Sequence, residues 1–377
     1  MFRTVLSVSL VALAAAACAT TWQSSHMAVT PVQSQDSYYV KGHNAVAARA
    51  AERNPAHAKN VILFIGDGMG ISTITAARIY AGQMKGLDGE SYQLAMEKLP
   101  YSAFSKTYTH DSQVADSAPT AVAMTTGVKS YNGTLGVTQA ASIKDCASAK
   151  TSGTTSLWEI AEDAGMATGV ISTARITHAT PAATYAETTE RDWESDKDVS
   201  DAGKAAGCVD IASQLLAWQG KYGNGFDVIL GGGRTNFLPA TMTDPEYPNE
   251  KGVRLDGRNL VDEWQAAGPN RTAVIDRAGF NAFNWNSDGQ IFGLFEPSHM
   301  QYELDRAKDG KGEPSIAEMT RAAITRLSRN PNGYVMMVEG GRVDHGLHAG
   351  DAQRALGDAA ALDEAIAAAV AATDPKE

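Results

Sequence analysis

An α/β fold, with a central and mostly parallel sheet covered by helices on both faces, is the architecture this sequence predicts. Three observations carry the expectation. Short apolar runs recur at 61–65, 169–171, 227–230 and 334–338, each followed at once or within a few residues by Gly, Thr or Glu, as buried parallel strands are. Helical patterns lie between them, at 155–164, 208–218 and 315–328, so strand and helix alternate along the chain. Finally, 44% apolar content in 377 residues is enough for a sizeable core and excludes disorder as the main state.

The elements follow in order. Arg3 precedes an apolar run of thirteen residues from Val5 to Ala17 and then Cys18, the layout of a secretory leader over 1–18. Spanning a bilayer takes roughly 20 residues, so this run is read as an address and not an anchor. Ala15-Ala16-Ala17-Cys18 resembles a lipoprotein box, with Cys18 as the lipidated residue; ordinary cleavage near Ala19 is the alternative. Residues 19–55 are rich in Ser, Thr, Gln and Ala and read as a flexible tether to a folded domain over 56–377. Within that domain 235–313 breaks the rhythm with Pro, Gly, Asn and Asp clusters and is expected to be an insertion between strands. The stretch 351–372 is Ala-rich, with Leu356, Leu362, Ile366 and Val370 near helical spacing, and is expected to be a helix.

Charge narrows the partners. With 43 acids against 32 bases, the net charge of −11 argues against broad nucleic-acid binding. An exported chain meets an oxidising compartment, in which Cys146 and Cys208 are expected to pair, two buried free thiols being the alternative.

Four strand ends carry residues suited to chemistry. Gly66-Asp67-Gly68-Met69-Gly70 follows the first apolar run, but position 71 is Ile, so the dinucleotide spacing fails. Asp67 is instead a carboxylate flanked by glycines, a candidate hard-metal ligand that competes with a plain turn residue. Asp116-Ser117-Ala118-Pro119 opens a run of small residues with Pro in a first helical turn, which puts Ser117 at a helix N-terminus as an N-cap or as a nucleophile. After the run at 169–171 come His178, Thr180 and, further on, Arg191, whose planar fork suits a tetrahedral anion. The run at 334–338 leads into Glu339, Asp344, His345 and His348. Asp344 and His348 stand four apart, which on a helix places both on one face, as a metal pair needs.

Taken together, GDGMG (66–70), DSAPTAVAMTTG (116–127), HATPAATYAETTERDW (178–193), GGGR (231–234) and VEGGRVDHGLH (338–348) resemble the alkaline phosphatase family, in the branch nearer the animal and shrimp enzymes. GCVDIASQLL (207–216), RLDGRNLVDEW (254–264), GLFEP (293–297) and LSRNPNGY (327–334) extend the likeness over about residues 60–367. The resemblance implies hydrolysis of phosphate monoesters through a phosphoserine at Ser117, with Arg191 binding the phosphoryl oxygens. It implies Zn2+ and Mg2+ as cofactors. Asp67 would bridge a zinc and the magnesium, Glu339 and Thr180 would complete the magnesium site with His178 at its edge, Asp344 and His348 would hold the other zinc, His345 would lie near the phosphate, and Asp116 would be a second-sphere or phosphate-binding residue. It also implies the Cys146–Cys208 pair and a homodimer. Glu246, the Phe295 carbonyl, Glu296 and Glu313 match a Ca2+ site of the animal enzymes, with Glu313 in place of an aspartate.

The family's Thr-Ala-Asp-His-x-His strand and last histidine have no counterpart among these residues. The expectation is therefore a C-terminally truncated member lacking a strand of the sheet, with both zinc sites incomplete. An inactive phosphate- or metal-binding protein is the alternative to an active enzyme. The leader points to a bacterial periplasmic protein or outer-membrane lipoprotein.

Overall fold

The computed structural model of the chain describes residues 31–50 and 58–374, and the Val5–Ala17 run and Cys18 lie outside them. Six strands form one sheet: β1 (Val61–Gly66), β2 (Ala167–Arg175), β3 (Val228–Gly232), β4 (Arg271–Val274), β5 (Gln290–Leu294) and β6 (Tyr334–Gly340). Their spatial order is β1-β6-β2-β3-β5-β4, and every neighbouring pair is parallel. The α/β class is as the sequence predicts. Parallel neighbours need crossovers, and the helices that make them cover both faces.

Side-chain alternation along the strands divides the core in two. Val335 and Met337 of β6 and Val170 of β2 face one way, against Trp158, Ile211 and Leu215 of the helices Leu157–Asp163 and Ile211–Trp218. Met336, Val338 and Ile171 face the other way, against Met319, Leu327 and Leu362 of the helices Ile316–Leu327 and Ala352–Ala372. Each fully buried side chain of this kind contributes about 1.5–3 kcal/mol, so the two layers fix the strand register on which the site depends. The helix starts are specified locally. Ser156 with Glu159, and Ser315 with Glu318, form reciprocal capping boxes, and the Asp210 carboxylate accepts from the Ser213 N–H.

Two expected stretches look different in three dimensions. Ser37–Ala50, inside the expected tether, is a helix that begins at Asp36, whose carboxylate accepts from the N–H groups of Tyr38 and Tyr39. The expected insertion 235–313 contributes β4 and β5, which lengthen the sheet beyond β3. β5 reads Gln-Ile-Phe-Gly-Leu and is buried throughout. Cys146 and Cys208 form a disulfide with Cα atoms 5.4 Å apart. No described helix is long and apolar enough to cross a membrane.

Candidate active site

Because all six strands point one way, their carboxyl ends open on one edge of the sheet, where an α/β fold gathers its ligand-binding loops. β6 lies between β1 and β2, with Glu339 in register with Ile65 on one side and Ser172 on the other. Asp67 just beyond β1, Glu339 near the end of β6 and His178 beyond β2 therefore meet. One ligand atom from each lies within 4.8 Å of the others.

Their surroundings fit a cation. Glu339 is fully buried, and Ser172 Oγ donates to its Oε2. Glu339 Oε1, Asp67 Oδ2 and His178 Nδ1 are buried without any hydrogen-bond partner, whereas buried polar atoms are almost always satisfied. Burial and the neighbouring Asp344 carboxylate raise the Asp67 pKa, and burial and Asp67 raise that of Glu339. Burial, then the Arg191 charge, keep His178 neutral by lowering its pKa, so its ring can offer a lone pair. Two carboxylates that repel each other and a neutral imidazole, all with unspent lone pairs, form a set that a divalent cation would satisfy. Thr180, on the short helix Ala179–Ala182 that His178 caps, hydrogen-bonds the Glu339 carboxylate through its side chain.

Asp344 and His348 share a face of the helix Arg342–His348, with Nε2 3.3 Å from Oδ2. Gly68 makes room for Asp344: its φ is +67°, and a Cβ there would stand 2.4 Å from Asp344 Oδ1. His345, between them in sequence, has its pKa lowered to about 4 by burial and by Arg342.

Ser117 is the first residue of the helix Ser117–Thr126, and Asp116 occupies the cap without capping it through its side chain. Asp116 instead accepts from Arg191 Nη1 through Oδ1, and from the Gly133 N–H at 2.7 Å through Oδ2. Arg191 Nη1 also donates to Ser117 Oγ at 2.9 Å, and its Nη2 lies 3.0 Å from His178 Nε2. The first-turn N–H groups of this helix are left for an anion, and Arg191 stands beside them.

The structure thus brings Asp67, His178, Glu339, Asp116, Ser117 and Arg191 into one site, with Asp344 beside Asp67. A second acidic group forms where the loop after β5 meets the segment before Ile316–Leu327: Glu296, Asp309 and Glu313 lie within 4.8 Å of one another. Glu313 Oε2 and Asp309 Oδ2 have no partner, and burial, then Glu296, push the Glu313 pKa up to about 9. Asp309 was not singled out from the sequence. Glu246, which was, is not one of the three and accepts from Arg234 at 3.0 Å. His299 is the other omission: its ring packs against those of His178 and His345, with centroids 5.4 and 4.2 Å away. Its place two residues after Glu296-Pro297, in a strand-end loop, was the available signal.

The fold is an α/β sheet whose strand ends bring a candidate divalent-cation group together with a serine and an arginine at a helix N-terminus, and comparison with known proteins places the chain in a family. The alkaline phosphatase family model matches residues 58–377. The chain is 44% identical over 337 residues to the chicken tissue-nonspecific alkaline phosphatase, covering 88% of this chain and 64% of that protein. Against the human tissue-nonspecific isozyme it is 43% identical over 332 residues, covering 85% and 61%. The crystal structure of the Thermus thermophilus alkaline phosphatase superposes with a TM-score of 0.66 at 30% identity, over 84% of this chain and 57% of that one. The chain belongs to the alkaline phosphatase family, a metal-dependent one, and spans about 64% of the length of the chicken relative. The animal-like branch is supported. One expectation is overturned: the curated relatives in chicken, cod and human are vertebrate proteins, which conflicts with a bacterial periplasmic or outer-membrane location.

Proposed function

We propose that this chain hydrolyses phosphate monoesters with Ser117 as the nucleophile. The observation that carries the reading is the placing of Ser117 Oγ at a helix N-terminus, 2.9 Å from an Arg191 nitrogen, in the same site as a buried and unsatisfied Asp67–His178–Glu339 group. Ser117 Oγ, its proton given up to solvent, forms a bond to phosphorus as the bond to the leaving alcohol oxygen breaks and that oxygen takes a proton from water; a second water then cleaves the phosphoserine, restoring the serine hydroxyl and releasing inorganic phosphate. Arg191 and the N–H groups of the helix start hold the non-bridging oxygens, where negative charge gathers in the transition state. The Arg191 hydrogen bond to Ser117 Oγ favours the alkoxide. Asp116, also bound to Arg191 and to Gly133 N, keeps the guanidinium from swinging away.

Asp67, Glu339 and Thr180, with His178 at the edge, are proposed to hold Mg2+; Asp67, Asp344 and His348 are proposed zinc ligands, and Glu296, Asp309 and Glu313 suit Ca2+. Bound divalent cations supply Lewis-acid chemistry, stabilising the attacking and leaving oxygens of an in-line displacement. Most contacts go to the phosphoryl group, so a broad range of small phosphomonoesters is the proposed substrate class. A homodimer is proposed from the family. The Cys146–Cys208 disulfide, together with the Val5–Ala17 run, supports export to an oxidising compartment.

The test is hydrolysis of a chromogenic aryl phosphate at alkaline pH with added Zn2+ and Mg2+, comparing the chain with its Ser117→Ala variant. Turnover that Ser117→Ala abolishes supports the proposal. Phosphate binding by calorimetry without turnover would replace it with a binding role, and equal rates in both proteins would remove Ser117 from the chemistry.

A further inference from the structure

His299 stands outside the residues assigned to the chemistry, yet one line of contact runs from it to Arg191 and a second to the segment just beyond Arg191 in the chain. The first passes through rings. His299 packs on His178 with centroids 5.4 Å apart, and His178 Nε2 lies 3.0 Å from Arg191 Nη2. His345 closes this group from the other side, 4.2 Å from His299 and 5.6 Å from His178. The second passes through charges. His299 Nε2 lies 2.6 Å from Arg175 Nη1, and its Nδ1 accepts from the Arg175 N–H at 3.3 Å. Arg175 in turn grips Glu194 with two bonds, Nε to Oε2 at 2.8 Å and Nη2 to Oε1 at 2.5 Å. Glu194 is three residues beyond Arg191 and also accepts from Thr177 Oγ1 and Asn236 Nδ2.

The backbone around His299 is built to hold it there. Met300 N–H donates to the Thr173 carbonyl at the end of β2, and Gly233 N–H donates to the Ser298 carbonyl at 2.6 Å. The approach needs glycine at 232, where a Cβ would stand 2.1 Å from the Ser298 oxygen. His299 is therefore pinned in backbone position, while its ring contacts His178, which meets the Arg191 guanidinium, and Arg175, which holds Glu194 three residues further along the chain.

We infer that His299 is a positioning residue for Arg191, holding the guanidinium against Ser117 through the His178 ring and steadying the segment that carries Arg191 through the Arg175–Glu194 pair. The inference rests on the proposed phosphoryl site. Removing the ring loosens both supports without removing any group that touches phosphate. The loss should fall on anion affinity and disappear when Arg191 itself is absent.

The experiment is a double-substitution cycle on the full chain loaded with Zn2+ and Mg2+, reading inorganic phosphate affinity by calorimetry and the KM and kcat for an aryl phosphate. His299→Ala should weaken phosphate binding and raise KM about five- to tenfold, with a smaller change in kcat, and should add nothing further in an Arg191→Ala background. His299→Asn keeps an acceptor for the Arg175 N–H and should recover part of the loss. It also serves as the readable variant if His299→Ala does not fold. Phosphate affinity equal to that of the parent in these variants, or losses that multiply independently with Arg191→Ala, would overturn the inference and leave the proposed function standing. A parent chain that neither binds phosphate nor hydrolyses the ester would overturn both.

Discussion

Removing the Cys146–Cys208 bridge by a double Cys→Ser substitution should destabilise the chain by an amount that its position sets. The bridge spans a sequence separation of 62, and the chain-entropy relation for a loop of that length gives a loss of about 14 cal/mol/K in the unfolded ensemble, or about 4 kcal/mol at 25 °C. The native side of the balance is favourable too. Cys146 packs with Trp193 and Val199 in a small buried cluster, and Trp193 lies two residues beyond Arg191. The substituted protein should keep its fold, because the two main core layers do not include this cluster. Equilibrium unfolding in urea, run on both proteins without reductant, measures the difference. A loss near 4 kcal/mol supports the reasoning, and a loss below about 1 kcal/mol would refute the loop-entropy argument for this bridge.

Three further outcomes are expected. Arg326→Leu would leave Asp227, to which Arg326 Nη2 donates at 2.7 Å, as a buried and unpaired carboxylate, costing about 3–5 kcal/mol in urea unfolding, whereas a change below about 1 kcal/mol would contradict the pairing. Gly68→Ala would force a side chain into left-handed backbone and against Asp344; a cost of about 1–2 kcal/mol in stability and weaker zinc binding by calorimetry are expected, and unchanged zinc affinity would count against Asp344 as a ligand. Burial, against a hydrogen bond from Thr168, raises the Glu162 pKa from 4.5 to about 8. The folded state thus holds that proton more tightly than the unfolded chain, so this contribution is fully present below about pH 4.5 and is lost as pH rises through about 8. Glu162→Gln should flatten the decline in thermal stability between those limits, and an identical pH dependence in the variant would show that the decline arises elsewhere.

The sequence was most readable where local chemistry and tertiary role coincide. The runs at 61–65 and 334–338 are apolar because β1 and β6 lie between helical layers, and the small residues after Ser117 are helical because Pro119 suits a first turn. The four-residue spacing of Asp344 and His348 placed them on one helical face, as found. Elsewhere the signal was not local. β4, Arg-Thr-Ala-Val, sits at a sheet edge and carries no apolar run, and β5 interrupts its run with Gly293, where a Cβ would press on Leu230 and Phe295. Both were absorbed into an expected insertion. The helix Ser37–Ala50 lies in a stretch with little apolar periodicity, which reads as tether. His299 and Asp309 acquire meaning only when strand order brings the loop after β5 against the end of β2 and the segment before Ile316–Leu327.

Phosphorylation of Ser117 is the central claim, and direct detection of the covalent adduct tests it with the fewest intervening assumptions. The metal-loaded chain is incubated with inorganic phosphate or an aryl phosphate, quenched in acid, digested and read by mass spectrometry. The account predicts a single phosphoryl group on the peptide containing Ser117 and none in the Ser117→Ala variant. A phosphoryl group carried instead by His178 or His345, or hydrolysis that proceeds with no phosphorylated peptide at any time point, would contradict it.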